Sequence, residues 1–191
     1  MTYQTTLAAV ALACFGLLAG ASAQAQQKLV SEQSEILFVS KQMGVPVEGR
    51  FKKFDAVVAF DPAKLATSKI SFTVDMGSAT LGAKETDAEL PKANWFNVPK
   101  FPQATFQSSS IKSLGAGKFE VAGKLSVKGA AQDVVVPVTL AQAGAATTAT
   151  GAFPVKRLAF KIGENEWADT SMVADDVQVK FKFTLAGVPK I

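Results

Sequence analysis

The side chains of this chain that could carry chemistry are carboxylates, lysines and arginine. The sequence has no histidine, and its only cysteine (Cys14) and only tyrosine (Tyr3) fall within the first 25 residues. Past that segment no Ser/His or Cys/His nucleophile pair can form, no thiolate or imidazole metal site, and no thiol redox couple. Glu164, Glu166, Asp169, Asp175 and Asp176 crowd one turn region and offer oxygen ligands to a hard cation. Their spacing matches no calcium loop and better suits a solvated turn. Paired carboxylates can hydrolyse glycosides, but nothing in the pattern sets two of them in an apolar cleft. Lys84, Asp87 and Glu89 could serve an enzyme on a lipid substrate, whose mark would be a strongly perturbed pKa inside an apolar pocket. Arg157 stands in a strand-like segment between Val155 and Phe160, where a guanidinium could hold a phosphate or carbonyl head group. The alternatives are an ion pair with Asp169 or Asp175, or extension of the side chain to solvent. No catalytic residue and no metal ligand is assigned.

The elements that must position these groups are strands, because the dominant pattern has period two. Phe119, Val121, Gly123, Leu125 and Val127 alternate with polar or small residues, as do Val177, Val179, Phe181, Phe183 and Leu185, and Ile70, Phe72, Val74 and Met76. One apolar and one wet face per strand predicts antiparallel pairing. Glu35–Ser40, Ala56–Phe60, Thr105–Ile111, Val134–Leu140 and Ala149–Phe160 supply weaker strands, with Pro137 marking an edge or bulge. Asp61-Pro62, Gly115–Gly117, Lys128-Gly129 and Gly144 supply turns. About eight strands result, enough to close into a barrel whose interior holds side chains or one ligand. Thr80–Leu90, ending before Pro91, predicts a short helix. The long aromatic stretch after it, with Trp95 and Phe96, either covers one end of the barrel as a lid or plugs the core.

Alternation also predicts which side chains point inward. They are Ile36 and Phe38, then Val58 and Phe60, then Ile70, Phe72, Val74 and Met76. Phe106, Phe119, Val121, Leu125 and Val127 follow, with Val134, Val136 and Val138, and finally Phe181 and Phe183. Phenylalanine rings give wide apolar contact with no polar atom to satisfy. They either pack on one another or surround a cavity. Gly123 marks a bend or makes room for a ligand. Trp95, Phe96, Arg157 and Trp167 are the expected lid or mouth residues.

Leu7–Ala21 is an uncharged apolar run followed by small residues in A-x-A spacing (Ala21-Ser22-Ala23, Ala23-Gln24-Ala25), which predicts a cleaved signal peptide over residues 1–25 and export to the periplasm. The run is shorter than the roughly 20 residues that span a bilayer. Residues 26–191 then form one domain. Lys+Arg 20 against Asp+Glu 16 gives a net charge of +4, spread along the chain, with no basic stripe of the kind nucleic acids require.

The order of motifs resembles the YceI-like family of secreted bacterial proteins. Ser34-Glu35-Ile36-Leu37-Phe38 is similar to its first strand, and Met43-Gly44 through Gly49-Arg50-Phe51 with Phe54 to its second motif. Asp87 with Leu90, Trp95-Phe96, Phe101-Pro102 and Thr105-Phe106 resemble its central region. Gly123–Gly129 resembles its hairpin, and Arg157, Phe160, Ile162-Gly163 and Trp167–Thr170 its last block. The resemblance implies a lipocalin-like antiparallel β-barrel around a long apolar ligand: a polyisoprenoid, an isoprenoid quinone or a fatty-acid-like molecule. It also implies membrane cytochromes of the b561 type as neighbours of some relatives. Gln33, Gln42 and Glu89 stand where many relatives carry histidine, and Ala159 where an acid is common, so an imidazole-dependent role does not carry over.

The expectation is therefore a periplasmic carrier that shields a long apolar ligand, needs no cofactor and touches a membrane only transiently. A solid-core partner of a membrane redox protein is the alternative, and a lipid-directed enzyme the more distant one. Ten buried CH₂ groups contribute about 8 kcal/mol gross. Such attraction is non-directional, so the barrel should select length and width more than exact chemistry.

Overall fold

The computed structural model describes residues 27–191, and the expected leader with Cys14 and Tyr3 lies outside them. The fold is all-β. Lys28–Leu29 (β1), Glu35–Gln42 (β2), Val45–Phe51 (β3), Phe54–Ala59 (β4), Lys69–Asp75 (β5) and Ala79–Thr80 (β6) come first. A four-residue helix α1 (Lys84–Asp87) follows, then Gln103–Gly115 (β7), Lys118–Val127 (β8), Ala130–Ala143 (β9), Ala146–Lys156 (β10) and Asp176–Ala186 (β11). They join in one 11-stranded antiparallel sheet, ordered β4-β5-β7-β8-β9-β10-β11-β2-β3-β6, with β1 on β11.

The sheet curls into a lipocalin-like barrel. Local chemistry sets its hairpins: Met43-Gly44, Ala116-Gly117 and Lys128-Gly129 all hold positive φ, as tight turns between twisted strands require. Leu140 donates its N–H to the Gly117 carbonyl at 2.8 Å, so Pro137, an odd number of residues away, turns its nitrogen toward β10. Pairing with β10 begins only at Val138, one residue after Pro137, so the missing N–H removes no ladder bond.

Three expectations need correction. The strands exceed eight because β1, β3 and β6 escaped the pattern: β3 contains Pro46 and Gly49, and the other two are only two residues long. The predicted helix shrinks to α1 because the Asp87 carboxylate turns back to accept from the Leu81 N–H and the Thr80 hydroxyl. The last weak strand ends at Lys156, and Arg157–Phe160 is a 3-10 turn closed by Lys161 in the left-handed region.

Closure is incomplete as well. β4 pairs only with β5, and β3 pairs with β2 and briefly with β6, so the two ends of the sheet meet at the Lys52-Lys53 corner without a ladder between them. The N-terminal segment straps this seam. β1 pairs with β11, and the Gln27 amide accepts from the Phe60 N–H (2.9 Å) and donates to its carbonyl (2.6 Å), satisfying the edge beyond β4.

Candidate functional site

The inward faces surround a cavity of about 380 Å³, within the range of roughly 300–1,000 Å³ usual for small-ligand sites. All the residues expected to point inward except Val134 line it: Ile36 and Phe38 from β2, Val58 and Phe60 from β4 and its end, and Ile70, Phe72, Val74 and Met76 from β5 and its end. Phe106 comes from β7, Phe119, Val121 and Leu125 from β8, Val136 from β9, and Phe181 and Phe183 from β11. Val127 and Val138 line it too, whereas Val134 does not. Phe51 and Phe153 are lining residues the sequence reading missed, Phe51 because β3 was not recognised. Val177 and Val179 were legible, since they share the alternation of Phe181.

Glycines explain why so many rings leave a lumen. A Cβ on Gly49 would lie 2.2 Å from the Phe38 ring, one on Gly151 2.4 Å from the Phe181 ring, and one on Gly123 2.5 Å from the Phe106 ring. Phe38 faces Gly49 and Phe181 faces Gly151 directly across neighbouring strands. Each ring therefore occupies the place of the missing side chain and lies along the wall. Gly123 makes room for Phe106 in this way, which resolves the role left open for it. Phe181, Phe183 and Phe72 continue the lining as stacked rings with centroids 4.8 and 4.5 Å apart.

The cavity is graded from end to end. Along β2 the inward face reads Ile36, Phe38, Ser40, Gln42, turning polar toward the β2–β3 hairpin. At that end the stretch between β6 and β7 adds Thr86, Glu89, Leu90, Trp95 and Phe96. The stretch between β10 and β11 adds Arg157, Phe160, Ile162, Trp167 and Val173. The two stretches are tied together, since the Asn94 carbonyl accepts from the N–H groups of Gly163 (2.8 Å) and Glu164 (3.0 Å). The Trp95 and Trp167 rings meet at 5.5 Å. Trp95 carries an anomaly: its Nε1–H is shut off from solvent and has no acceptor among the described residues. An unpartnered buried donor costs about 1–3 kcal/mol.

Arg157 is 2% exposed. Nε donates to the Ala174 carbonyl (3.1 Å), Nη1 to those of Ile162 (2.8 Å) and Gly163 (3.0 Å), and Nη2 to that of Val173 (2.6 Å). The guanidinium thus knits the mouth loops together, a structural role, and does not extend to solvent. Desolvation pulls its pKa below the ordinary arginine value, and the charge of Asp175 opposes that. Asp175 itself accepts from the Leu158 N–H at 2.9 Å. Gly163 is essential to this seat: its φ is +76°, and a Cβ there would sit 2.2 Å from Nη1.

The remaining candidates are engaged elsewhere. Glu164 takes buried Lys128 at 2.8 Å, Asp176 takes Lys156 at 2.7 Å, and Asp169 accepts from Ser171. Among the described residues no three His, Cys, Asp or Glu side chains converge as a metal site. Hydrogen bonds from Thr80 and Leu81 hold the Asp87 carboxyl below the usual aspartate value, the opposite of a poised general acid. Glu89 pairs with Lys92 at 2.5 Å.

Comparison with known proteins follows this geometry. The family model described as YceI-like domain matches residues 27–185. A UPF0312 protein of Azotobacter vinelandii (strain DJ / ATCC BAA-1303) is 33% identical over 135 residues, which is 69% of this chain and 70% of that protein. The crystal structure of Burkholderia cenocepacia BcnA superposes with a TM-score of 0.79 at 49% identity, covering 82% of this chain and 98% of that one. A polyisoprenoid binding domain from Saccharophagus degradans, implicated in plant cell wall breakdown, shares the fold at 13% identity, with a TM-score of 0.68 over 84% of this chain and 98% of that one.

Proposed function

The chain belongs to the YceI-like family, and on that premise we propose that it is a periplasmic binding protein holding the chain of an isoprenoid-type lipid inside its barrel. The observation that carries this reading is the cavity, apolar through the barrel and polar only at the end where the two loops meet. Such a gradient orients an amphiphile with its tail deep and its polar end at the loops. Each buried CH₂ contributes about 0.8 kcal/mol, so a long isoprenoid overcomes the ordering cost of binding where a short chain would not. A hollow interior disfavours the solid-core reading, and the hydrogen bonds on Asp87 and the pairing of Glu89 with Lys92 disfavour the enzyme reading. The fold shared with a polyisoprenoid binding domain supports the choice of ligand.

Exchange with a membrane is part of the proposal. Met43 is 77% exposed, Val45 62% and Met172 45%, and the Met43 N–H donates to the Met172 carbonyl at 2.8 Å, so an apolar tip stands beside the polar end of the cavity. Sedimentation with lipid vesicles tests that contact. Mass spectrometry of the protein purified from its exported location, and of its organic extract, tests the function itself. A stoichiometric isoprenoid lipid is expected. A protein that emerges empty and refuses added quinones and polyprenols overturns the reading.

A further inference from the structure

The polar chemistry of the cavity is one-sided. Glu89 and Arg157 are the charged side chains among its lining residues. The Arg157 donors are engaged by the carbonyls of Ile162, Gly163, Val173 and Ala174, so the one lining cation among the described residues has little to offer a ligand. Glu89 brings a negative charge with Lys92 beside it. What stands without a partner among the described residues is the Trp95 Nε1–H, on the loop that covers this end. An indole nitrogen donates and cannot accept. Ser40 and Gln42 face the same end from β2 and add hydroxyl and amide groups.

We propose that the Trp95 Nε1–H is the head-group donor of the lipid site, and that the mouth selects an uncharged end bearing an acceptor oxygen, a hydroxyl or carbonyl, over a phosphorylated end and over plain hydrocarbon. The proposal rests on the lipid-binding reading above. A hydrocarbon end leaves the indole donor without an acceptor. A phosphate would enter the mouth beside Glu89 with no unpaired cation among the described lining residues, and its lost hydration would go uncompensated. A neutral oxygen satisfies the donor and brings no charge. Because Nε1 is closed to solvent, the oxygen reaches it only as the ring shifts on its loop, so head-group binding and movement of Trp95 are coupled.

The test compares a polyprenol, the corresponding polyprenyl phosphate and the isoprenoid hydrocarbon squalene on the same protein. It follows the indole N–H signals by NMR, with the Trp95 signal assigned as the one lost in Trp95→Phe. The polyprenol should bind about tenfold more tightly than either competitor, the worth of one satisfied donor, and should move the Trp95 proton downfield where squalene does not. Trp95→Phe should erase the preference for polyprenol over squalene. Equal affinities, a preference for the phosphate, or an unmoved Trp95 signal with polyprenol bound would overturn the assignment while leaving lipid binding intact. Failure of all three probes to bind would overturn both.

Discussion

At the scale of single residues, the mouth depends on a few polar side chains whose hydrogen bonds are largely committed. Arg157→Met keeps much of the volume but strands the carbonyls of Ile162, Gly163, Val173 and Ala174. The expected loss is about 3 kcal/mol in chemical denaturation. Gly163→Ala should behave similarly, since its Cβ would displace the guanidinium. A loss near zero in both variants would mean that the loops hold together without Arg157. Asp87 makes the loop between β6 and β7 pH-sensitive. Its folded pKa lies below the ordinary 3.8, so its contribution is complete above that value and disappears as the pH falls through the lowered one. Glu164, held down by Lys128, and Asp169, held down by Ser171, add to the same acid slope. Tryptophan fluorescence should report loosening of the mouth in that acid range. Asp87→Asn should already be loosened at neutral pH, with a shallower acid slope, and an unchanged slope would remove Asp87 from the account.

At the scale of elements, three neighbouring strand pairs, β2–β3, β7–β8 and β10–β11, widen the lumen through ring-over-glycine packing. Gly123→Ala should force the Phe106 ring off the wall, costing about 1–3 kcal/mol of stability and reducing uptake of a bulky ligand. Adding Phe106→Leu should recover part of both, and no recovery would show that the Gln107 carbonyl, 2.5 Å from the same Cβ, is the real obstacle. The loop bearing Trp95 is the other working element. Trp95→Ala removes the contact with Trp167 and should speed lipid release to acceptor vesicles several-fold, whereas unchanged rates would make the ring packing alone. Much of this was legible beforehand. The alternation of Phe119 to Val127 and of Val177 to Leu185 marks inward faces through local geometry that no distant contact can reverse without turning the whole strand. What stayed hidden was set by distant partners. β3, with Pro46 and Gly49, is a strand because β2 pairs with it, and Gly49 is there for a ring on that neighbour. For Arg157 the sequence leaves a head-group role, an ion pair and extension to solvent open, and only the carbonyls of Val173 and Ala174, brought in by the fold, decide among them.

At the scale of the whole molecule, the barrel is a rolled sheet held shut by a strap. Gln27→Ala removes the side chain that stands in for a strand beside Phe60. It should lower stability by about 1 kcal/mol and speed hydrogen exchange at the Phe60 amide. Undiminished protection there would mean that packing alone holds the edge. The seam has a mechanical meaning as well. A barrel hydrogen-bonded all the way round has a circumference fixed by its strand number and shear, and cannot widen without breaking a ladder. Here the ends of the sheet face each other at the Lys52-Lys53 corner with no ladder to break, so the tube behaves as a split sleeve rather than a hoop. Its girth is soft while its depth is rigid. In the proposed carrier, such a sleeve would grip lipid tails of differing thickness by springing slightly open, and would select among tails chiefly by how far they reach.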